Sequence, residues 1–338
     1  MIKEAIQELV NGEDLNSFEM EQVMDEIMSN RATHAQIAAF LIALRMKGER
    51  IGEITGATKA MLKKAVKLSP KSTDLIDLCG TGGDGKSTFN VSTVSAFVVA
   101  GAGVKVAKHG NRSVSSKCGS ADLLEALGID LNLSPEKISK CIDEIGFAFL
   151  FAPNFHPAMK YVLQPRKEIG VRTIFNIIGP LANPLRVKRQ LLGVYSPDLL
   201  YPISSTLKLL GSEKALVIHS KDGLDEISIS SPTKGYMITK DKIQEIEINP
   251  EKYNLKPSPL ESIRTQSLKE NVEIFYRVLK GEKGPERDIV LLNSGAAIFV
   301  SGRAGDIKEG IEMAQESIDS GRAYRLFLEY LSFSRKNE

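Results

Sequence analysis

Four glycines within six residues, Gly80, Gly82, Gly83 and Gly85, stand between two apolar segments. Before them, Leu75-Ile76-Asp77-Leu78-Cys79 has the length and composition of a buried strand, and after them residues 90–100 read as a helix. A strand, a glycine turn and a helix in that order commit the chain to an α/β sheet. They also commit it to an anion. Glycine-rich backbone turns its N–H groups toward one ligand at φ values that other residues avoid. The helix N-terminus behind adds unpaired donors and the positive end of a dipole. Thr88, Asn90, Ser92 and Thr93 add polar side chains on that first turn. Residues 80–87 also satisfy G-x-x-x-x-G-K-[ST], the phosphate loop of nucleotide hydrolases. The loop alone leaves open whether the chain is such a hydrolase or another enzyme that handles phosphate.

Upstream of the loop the sequence has helical texture. Ile2, Ala5, Ile6, Leu9 and Val10 recur at helical spacing, as do Met20, Val23, Met24, Ile27 and Met28. Thr33 followed by Gln36 is a capping box opening a helix over 34–47, with Gly48 where a C-cap belongs, and a fourth helix covers about 52–66. The segment Leu68-Ser69-Pro70-Lys71-Ser72 marks a boundary, so residues 1–69 are expected as a helical domain and residues 70–338 as a larger α/β domain. Four short, Met-rich helices do not cover themselves, and packing on the rest of the chain or on a second subunit is the expected remedy. Strand-like runs at 104–107, 147–151, 191–195, 215–219 and 236–239 alternate with helical segments and predict a mostly parallel sheet. Residues 240–267 read as loops, and helices over 271–280, 288–300 and 306–320 close the chain.

Three further elements carry chemistry. Lys108-His109-Gly110-Asn111-Arg112-Ser113, continuing through Ser115 and Ser116, follows a strand and offers cations and small donors, so two anion loops fit a substrate phosphorylated at both ends. Asp222-Gly223-Leu224-Asp225-Glu226 follows the strand ending in His219, and adjacent carboxylates there are hard oxygen ligands of the kind Mg²⁺ takes. Arg166 and Arg172 lie in an apolar segment ending in Gly179-Pro180, which suits either a planar carboxylate on an aromatic body or a structural acid such as Glu168.

These elements, in this order, resemble the anthranilate phosphoribosyltransferases. The likeness rests on residues 79–93, 108–116, 121–128 (A-D-L-L-E-A-L-G), 151–160 (F-A-P-N-F-H-P-A-M-K), 170–184 and 222–226. It implies the fold shared with pyrimidine nucleoside phosphorylases, in which part of residues 170–190 joins the helical domain and the helical part forms a homodimer. It implies that anthranilate attacks phosphoribosyl pyrophosphate, in tryptophan biosynthesis, releasing pyrophosphate. Gly80, Gly82, Gly83, Asp84, Thr88, Asn90, Val91, Ser92, Thr93, Lys108, His109, Gly110, Asn111, Arg112, Ser113, Ser115, Ser116 and Ser120 would hold phosphoribosyl pyrophosphate. Asn111 and Arg166 would hold anthranilate, with Gly80, His109 and Pro180 along its path. Ser92 would contact one Mg²⁺, and Asp225 and Glu226 a second. Lys108, Asp84 and Arg166 are the groups expected nearest the reaction. The chain departs from the family in having Pro165 directly before Arg166, Ser220 after His219, and Asn293-Ser294-Gly295-Ala296-Ala297 where an alanine-rich stretch is usual.

The rest of the sequence weighs against other classes. A nucleotide hydrolase needs a strand ending in Asp, and neither Val217-Ile218-His219-Ser220 nor Ile289-Val290-Leu291-Leu292-Asn293 ends in one. A nucleoside phosphorylase would need a nucleobase pocket in place of Asn111, Arg166 and Gly179-Pro180. A net charge of +2 gives no electrostatic case for a relative that binds nucleic acid, or for a membrane surface. Three scattered cysteines, an odd number, suit a reducing cytoplasm.

Overall fold

The computed structural model describes residues 1–112 and 118–335. Four helices come first: α1 (Ile2–Val10), α2 (Ser17–Met28), α3 (His34–Lys47) and α4 (Ile51–Lys63). The capping box at α3 is formed in both directions, with Gln36 N–H donating to Thr33 Oγ1 at 3.2 Å and Thr33 N–H to Gln36 Oε1 at 2.9 Å. Next come β1 (Ile76–Gly80), α5 (Val91–Gly101), β2 (Val106–Gly110), α6 (Ser120–Ala126), α7 (Pro135–Glu144) and β3 (Phe147–Phe151). The short α8 (Ala152–Phe155), α9 (Lys160–Ile169) and α10 (Phe175–Ile178) lead to β4 (Arg189–Gly193), α11 (Leu200–Leu209), β5 (Lys214–Ser220), β6 (Thr233–Thr239) and β7 (Ile243–Ile248). Helices α12 (Leu268–Leu279), α13 (Pro285–Ser301), α14 (Ile307–Asp319) and α15 (Arg322–Arg335) finish the described chain.

The strands form one sheet in the order β3-β2-β1-β4-β5-β6-β7, parallel from β3 to β5 and antiparallel beyond. Chain order runs outward from β1 through β2 to β3 and then returns to the other side of β1 with β4. The switch point, where open α/β sheets bind ligands, therefore lies beyond the ends of β1 and β4. The alternation of each strand divides the core in two. Leu78, Leu216 and Ile218 pack with α5, α6 and the last four helices, where Phe97 stacks on Phe147 at 4.3 Å. Ala215, Val217 and Leu192 face the opposite way, into the core of α1–α4.

That second core answers the covering problem set by the Met-rich helices. Met20, Met24 and Met28 are buried with Val162 of α9, with Phe175, Ile177, Ile178 and Leu181, and with Ile203 and Leu207 of α11.

Two segments differ from the sequence reading. Residues 240–267 are not all loop, because residues 243–248 form β7, with Ile246 and Ile248 packed on one face of the sheet and Ile243 on the other. An edge strand whose outer face is charged gives a weak apolar signal and is protected against pairing with other chains. Helix α15 is the second addition. Its charged face masks a buried stripe at Ala323, Phe327, Tyr330 and Ser334.

Candidate active site

Three loops meet beyond the switch point: residues 81–90 after β1, the described residues 111–112 and 118–119 after β2, and residues 221–226 after β5. In the first, Gly82 and Gly83 have φ of +62° and +77°, a left-handed turn open to glycine at little cost. The second half of the loop is anchored to a distant segment. Thr265 N–H donates to Ser87 O at 2.9 Å, Phe89 N–H donates to Ile263 O at 3.1 Å, and Thr88 bridges Arg264. Asn90 is held by α12, since its N–H and its Nδ2 both donate to Asn271 Oδ1 at 3.0 Å. Val91 and Thr93 are buried beneath it.

The geometry decides the first of the open questions. In a nucleotide-hydrolase loop the Lys-Ser pair begins the helix. Here Lys86 and Ser87 precede α5, which starts at Val91, Ser87 is left-handed with φ of +57°, and residues 87–89 pair with 263–265. The match to that pattern is in the letters only.

The acidic turn is pressed against the ends of the central strands. Gly80 and Gly193 are register partners on β1 and β4, and a Cβ on either would strike Asp225: 2.6 Å from Oδ2 at Gly80, and 1.6 Å from the carbonyl oxygen at Gly193. Asp225 Oδ2 accepts from Gly82 N–H at 2.8 Å, and Glu226 Oε1 accepts from Ser92 N–H at 3.2 Å on the first turn of α5. Lys108, 2 % exposed, reaches in from β2 and donates to Leu78 O at 2.5 Å and to Ser92 Oγ at 3.1 Å. Burial pushes Asp225 up to about 7, and the neighbouring Asp84 charge adds to it. Burial, then Asp225, drives Glu226 well above the usual carboxylate range. Burial draws Lys108 down, against the opposing pull of Asp77, Cys79 and Glu226.

This is a cluster short of positive charge. Asp84 accepts from Lys86 N–H through Oδ1, while its buried Oδ2 has no partner among the described residues. Hard oxygen donors, an orphaned carboxylate oxygen and carboxyls raised by burial and then by one another fit a small divalent cation. Among the described residues the acidic, His and Cys side chains do not close into a ready-made ion cage. Asp225 and Glu226 would therefore share the ion with substrate phosphates and water, the arrangement Mg²⁺ favours.

On the other side of the loops lie the residues expected along the path of anthranilate. The Arg166 guanidinium sits 5.2 Å over the Phe175 ring, and burial lowers its affinity for its proton. Glu168 accepts instead from Gln164 at 2.6 Å, so Arg166 has no carboxylate partner among the described residues and the structural-acid alternative fails. Pro165 lies inside α9, where it removes one helical hydrogen bond just ahead of Arg166. His109, 6 % exposed, packs edge-on to His156 at 5.3 Å, and its buried Nε2 has no partner among the described residues. Burial and the His156 ring push it down to about 3, so it is neutral and a very weak base. The Pro180 carbonyl accepts from Gln190 at 2.9 Å.

Asn111 is exposed, Gly110 lies against Ser120 Oγ and Phe149, and Ser120 Oγ donates to Asn111 O at 3.2 Å. Arg112 is turned to Glu125, with both terminal nitrogens donating at 2.8 Å, and to Asp122. Ser113, Ser115 and Ser116 lie outside the described residues.

The sequence reading passed over Asp77 and Gly193, which hold the site, and weighed Arg172 beside Arg166 only as a carboxylate binder. Asp77, buried in β1, accepts from His109 N–H at 3.1 Å and from Asn183 Nδ2 at 2.9 Å. Arg172 donates to Gly83 O while lying 4.3 Å over the Tyr195 ring, and so ties the α9–α10 connection to the glycine loop. Gly193 was visible only as a glycine ending a strand. A polar residue in the middle of the apolar run at 75–79 was the available signal for Asp77.

The fold and this site together define a transferase of glycosyl groups: residues 3–65 match the helical bundle domain of the glycosyl transferase family and residues 72–324 its a/b domain. The anthranilate phosphoribosyltransferase of Petrotoga mobilis is 49% identical over 329 residues, covering 97% of this chain and 96% of that protein. The crystal structure of the Thermus thermophilus enzyme superposes with a TM-score of 0.93 at 42% identity, covering 98% of this chain and 99% of that one. The Saccharomyces cerevisiae enzyme in complex with phosphoribosyl pyrophosphate and Mg superposes at 0.91 with 30% identity, over 98% and 97% of the two chains. Another structure of the yeast enzyme is in complex with 4-fluoroanthranilate. This chain belongs to the anthranilate phosphoribosyltransferase family.

Proposed function

We infer that this chain transfers the phosphoribosyl group of phosphoribosyl pyrophosphate to the amine of anthranilate, releasing pyrophosphate, as its family does in tryptophan biosynthesis. The observation that carries the reading is the convergence of the glycine loop, the α5 N-terminus, Lys108 and the Asp225–Glu226 pair at the switch point of the sheet.

The ribose C1–oxygen bond to pyrophosphate breaks as the nitrogen–C1 bond forms, and the amine proton is lost to solvent. Negative charge grows on the leaving group and positive charge on the ribose. The glycine loop, the α5 dipole and Lys108 stand beside the growing negative charge. Mg²⁺, when bound, would neutralise part of it without proton transfer. We assign Asp225 and Glu226 to one ion and Ser92 to a second. Glu226 and Ser92 adjoin, so the two positions share a wall. An arylamine is neutral near pH 7, and His109 is a poor base, so positioning and electrostatics carry the reaction rather than general base catalysis.

Arg166, lacking a carboxylate partner among the described residues, takes the anthranilate carboxylate and with Asn111 holds anthranilate, with Gly80, His109 and Pro180 along the path. Gly80, Gly82, Gly83, Asp84, Thr88, Asn90, Val91, Thr93, Lys108, Gly110 and Ser120 belong to the phosphoribosyl pyrophosphate side. Arg112 joins them only on leaving Glu125.

We read residues 1–69 with part of 170–190 as the helical domain and residues 70–338 as the substrate-binding domain. Exposed Phe18 and Met46 on α2 and α3, at 67% and 84%, support a homodimer formed through the helical part. Among the described residues no helix is long and apolar enough to cross a membrane, and the odd cysteine count supports a cytoplasmic setting.

The test is fluorimetric. Anthranilate fluorescence should fall when phosphoribosyl pyrophosphate and Mg²⁺ are added to the protein, against low background because the chain has no Trp. An unchanged signal with folded protein would reject the assignment.

A further inference from the structure

Glu226 is followed by a residue whose backbone has no strand to pair with. The chain leaves β5 at Ser220 and does not re-enter the sheet until Thr233, yet Ile227 is fully buried, and a buried peptide group without partners is costly. A side chain supplies the missing strand. Asn293, fully buried in the middle of α13, accepts from Ile227 N–H through Oδ1 at 3.0 Å and donates from Nδ2 to Ile227 O at 2.8 Å. The same Nδ2 donates to Ile289 O at 2.9 Å, one turn back, which fixes the rotamer. A primary amide has the donor and acceptor spacing of a peptide group, so only Asn or Gln pairs both sides of one residue in this way. Asn293 also lines an enclosed recess with Glu226, Ser92, Leu78 and Gly193.

Asp225 is fixed from one side, by Gly82 N–H and by the press of its carbonyl against Gly193. On the other side Ser228 N–H donates to Thr233 Oγ1 at 3.1 Å, and between Glu226 and Ser228 the Ile227 peptide groups are paired by Asn293. We propose that Asn293 is a positioning residue for the metal-holding pair: by clamping Ile227 it sets the direction in which the Glu226 carboxylate leaves the backbone. The proposal rests on the reading of Asp225 and Glu226 as the metal-holding residues. It gives a task to the Asn293-Ser294-Gly295 stretch, which the substrate contacts leave unused.

The test measures metal binding directly, with Mn²⁺ as the probe and phosphoribosyl pyrophosphate present, from the loss of the free-ion electron paramagnetic resonance signal. Asn293→Ala should weaken Mn²⁺ binding about 10- to 100-fold, the scale seen when a group that orients a metal ligand is removed. Tyr330→Phe is the structural control. Tyr330 Oη accepts from Phe149 N–H at 3.1 Å on β3, so the change also strips a buried backbone partner, and it should leave Mn²⁺ binding unchanged. Should Asn293→Ala not fold, Asn293→Ser leaves a smaller void and is read in the same way. Wild-type Mn²⁺ affinity in the folded Asn293 variant, or equal weakening in Tyr330→Phe, would overturn the positioning role alone. Loss of binding in Asp225→Asn shows that the pair holds the ion. Wild-type affinity in that variant, or no Mn²⁺ binding by the unaltered protein, would overturn the metal reading and the inference with it.

Discussion

The Gly82 N–H donates to Asp225 Oδ2 at 2.8 Å although 143 residues separate them, so the loop that would cradle phosphate and the turn that would hold metal are one structure. Asp225→Asn combined with Glu226→Gln removes both ionised carboxyls while keeping side-chain size. The expected outcome is a Mg²⁺ requirement raised at least about 10- to 100-fold, because direct ligands should count for no less than the groups behind them. A titration of initial rate against Mg²⁺ at saturating substrates is the check. An unaltered curve would remove the pair from the site.

Gly193 makes the same point from the strand side. Its absent Cβ leaves room for the Asp225 carbonyl, which would lie 1.6 Å from it. Gly193→Ala must move the acidic turn or the end of β4. The expected cost is about 1–3 kcal/mol, typical of overpacking in a filled interior, together with a raised Mg²⁺ requirement. Thermal unfolding and the Mg²⁺ titration read the two effects separately, and wild-type values in both would show the turn to be looser than described.

The contrast between Gly193 and the glycine loop shows what could be read without coordinates. The loop at 80–85 and the acidic pair at 225–226 were legible because local chemistry repeats there: several glycines in a row, or two carboxylates together. Short apolar runs placed β1 to β6, and period-3.6 patterns placed α1 and α2, for the same reason. Asp77 and Gly193 act singly, on partners far away in sequence, and a lone residue has no local pattern; Arg172 stood out beside Arg166, but its tie to Gly83 did not. The Arg166 alternatives could not be resolved either, because the deciding fact is that Gln164 takes the Glu168 carboxylate. Edge strand β7 was obscured by the charges that keep it from pairing elsewhere.

Lys86 is where the pattern misleads. Its side chain lies across Gly223, with Cε 2.8 Å and Nζ 3.0 Å from where a Cβ would stand, and it precedes α5 instead of opening it. Lys86→Ala should leave turnover nearly unchanged. A loss of about 100-fold or more, the scale of removing a donor to transition-state charge, would return the loop to the nucleotide-hydrolase reading. Steady-state rates at saturating substrates decide it.

Arg166 has a guanidinium and no acid. A cation already paired inside the protein gains little from a substrate carboxylate, whereas this one gains a full charge-assisted partner. Arg166→Ala should raise KM for anthranilate about tenfold or more, on the scale of a hydrogen bond to a charged group, with KM for phosphoribosyl pyrophosphate little changed. Equal effects on the two constants would contradict the assignment.

His109 and His156 give a prediction in pH. Burial pushes them down to about 3 and about 4, and the His156 ring lowers His109 further. An unfolded His titrates near ~6.5, so the pair contributes stability in full above that value and loses it as pH falls toward the folded-state values. Asp77, pushed up to about 6 by its burial, acts in the opposite sense between its unfolded value near ~3.9 and 6. Overall stability therefore mixes opposing contributions, and ring titration by NMR isolates the two histidines. The C–H resonances of His109 and His156, assigned through His109→Gln and His156→Gln, should stay at neutral-imidazole positions from pH 7.5 to about 5, more than a unit below the free value. A midpoint near the free value for either ring would mean that water reaches the wall between β2 and the Pro180 turn. His109 could then serve as the general base that its burial now argues against.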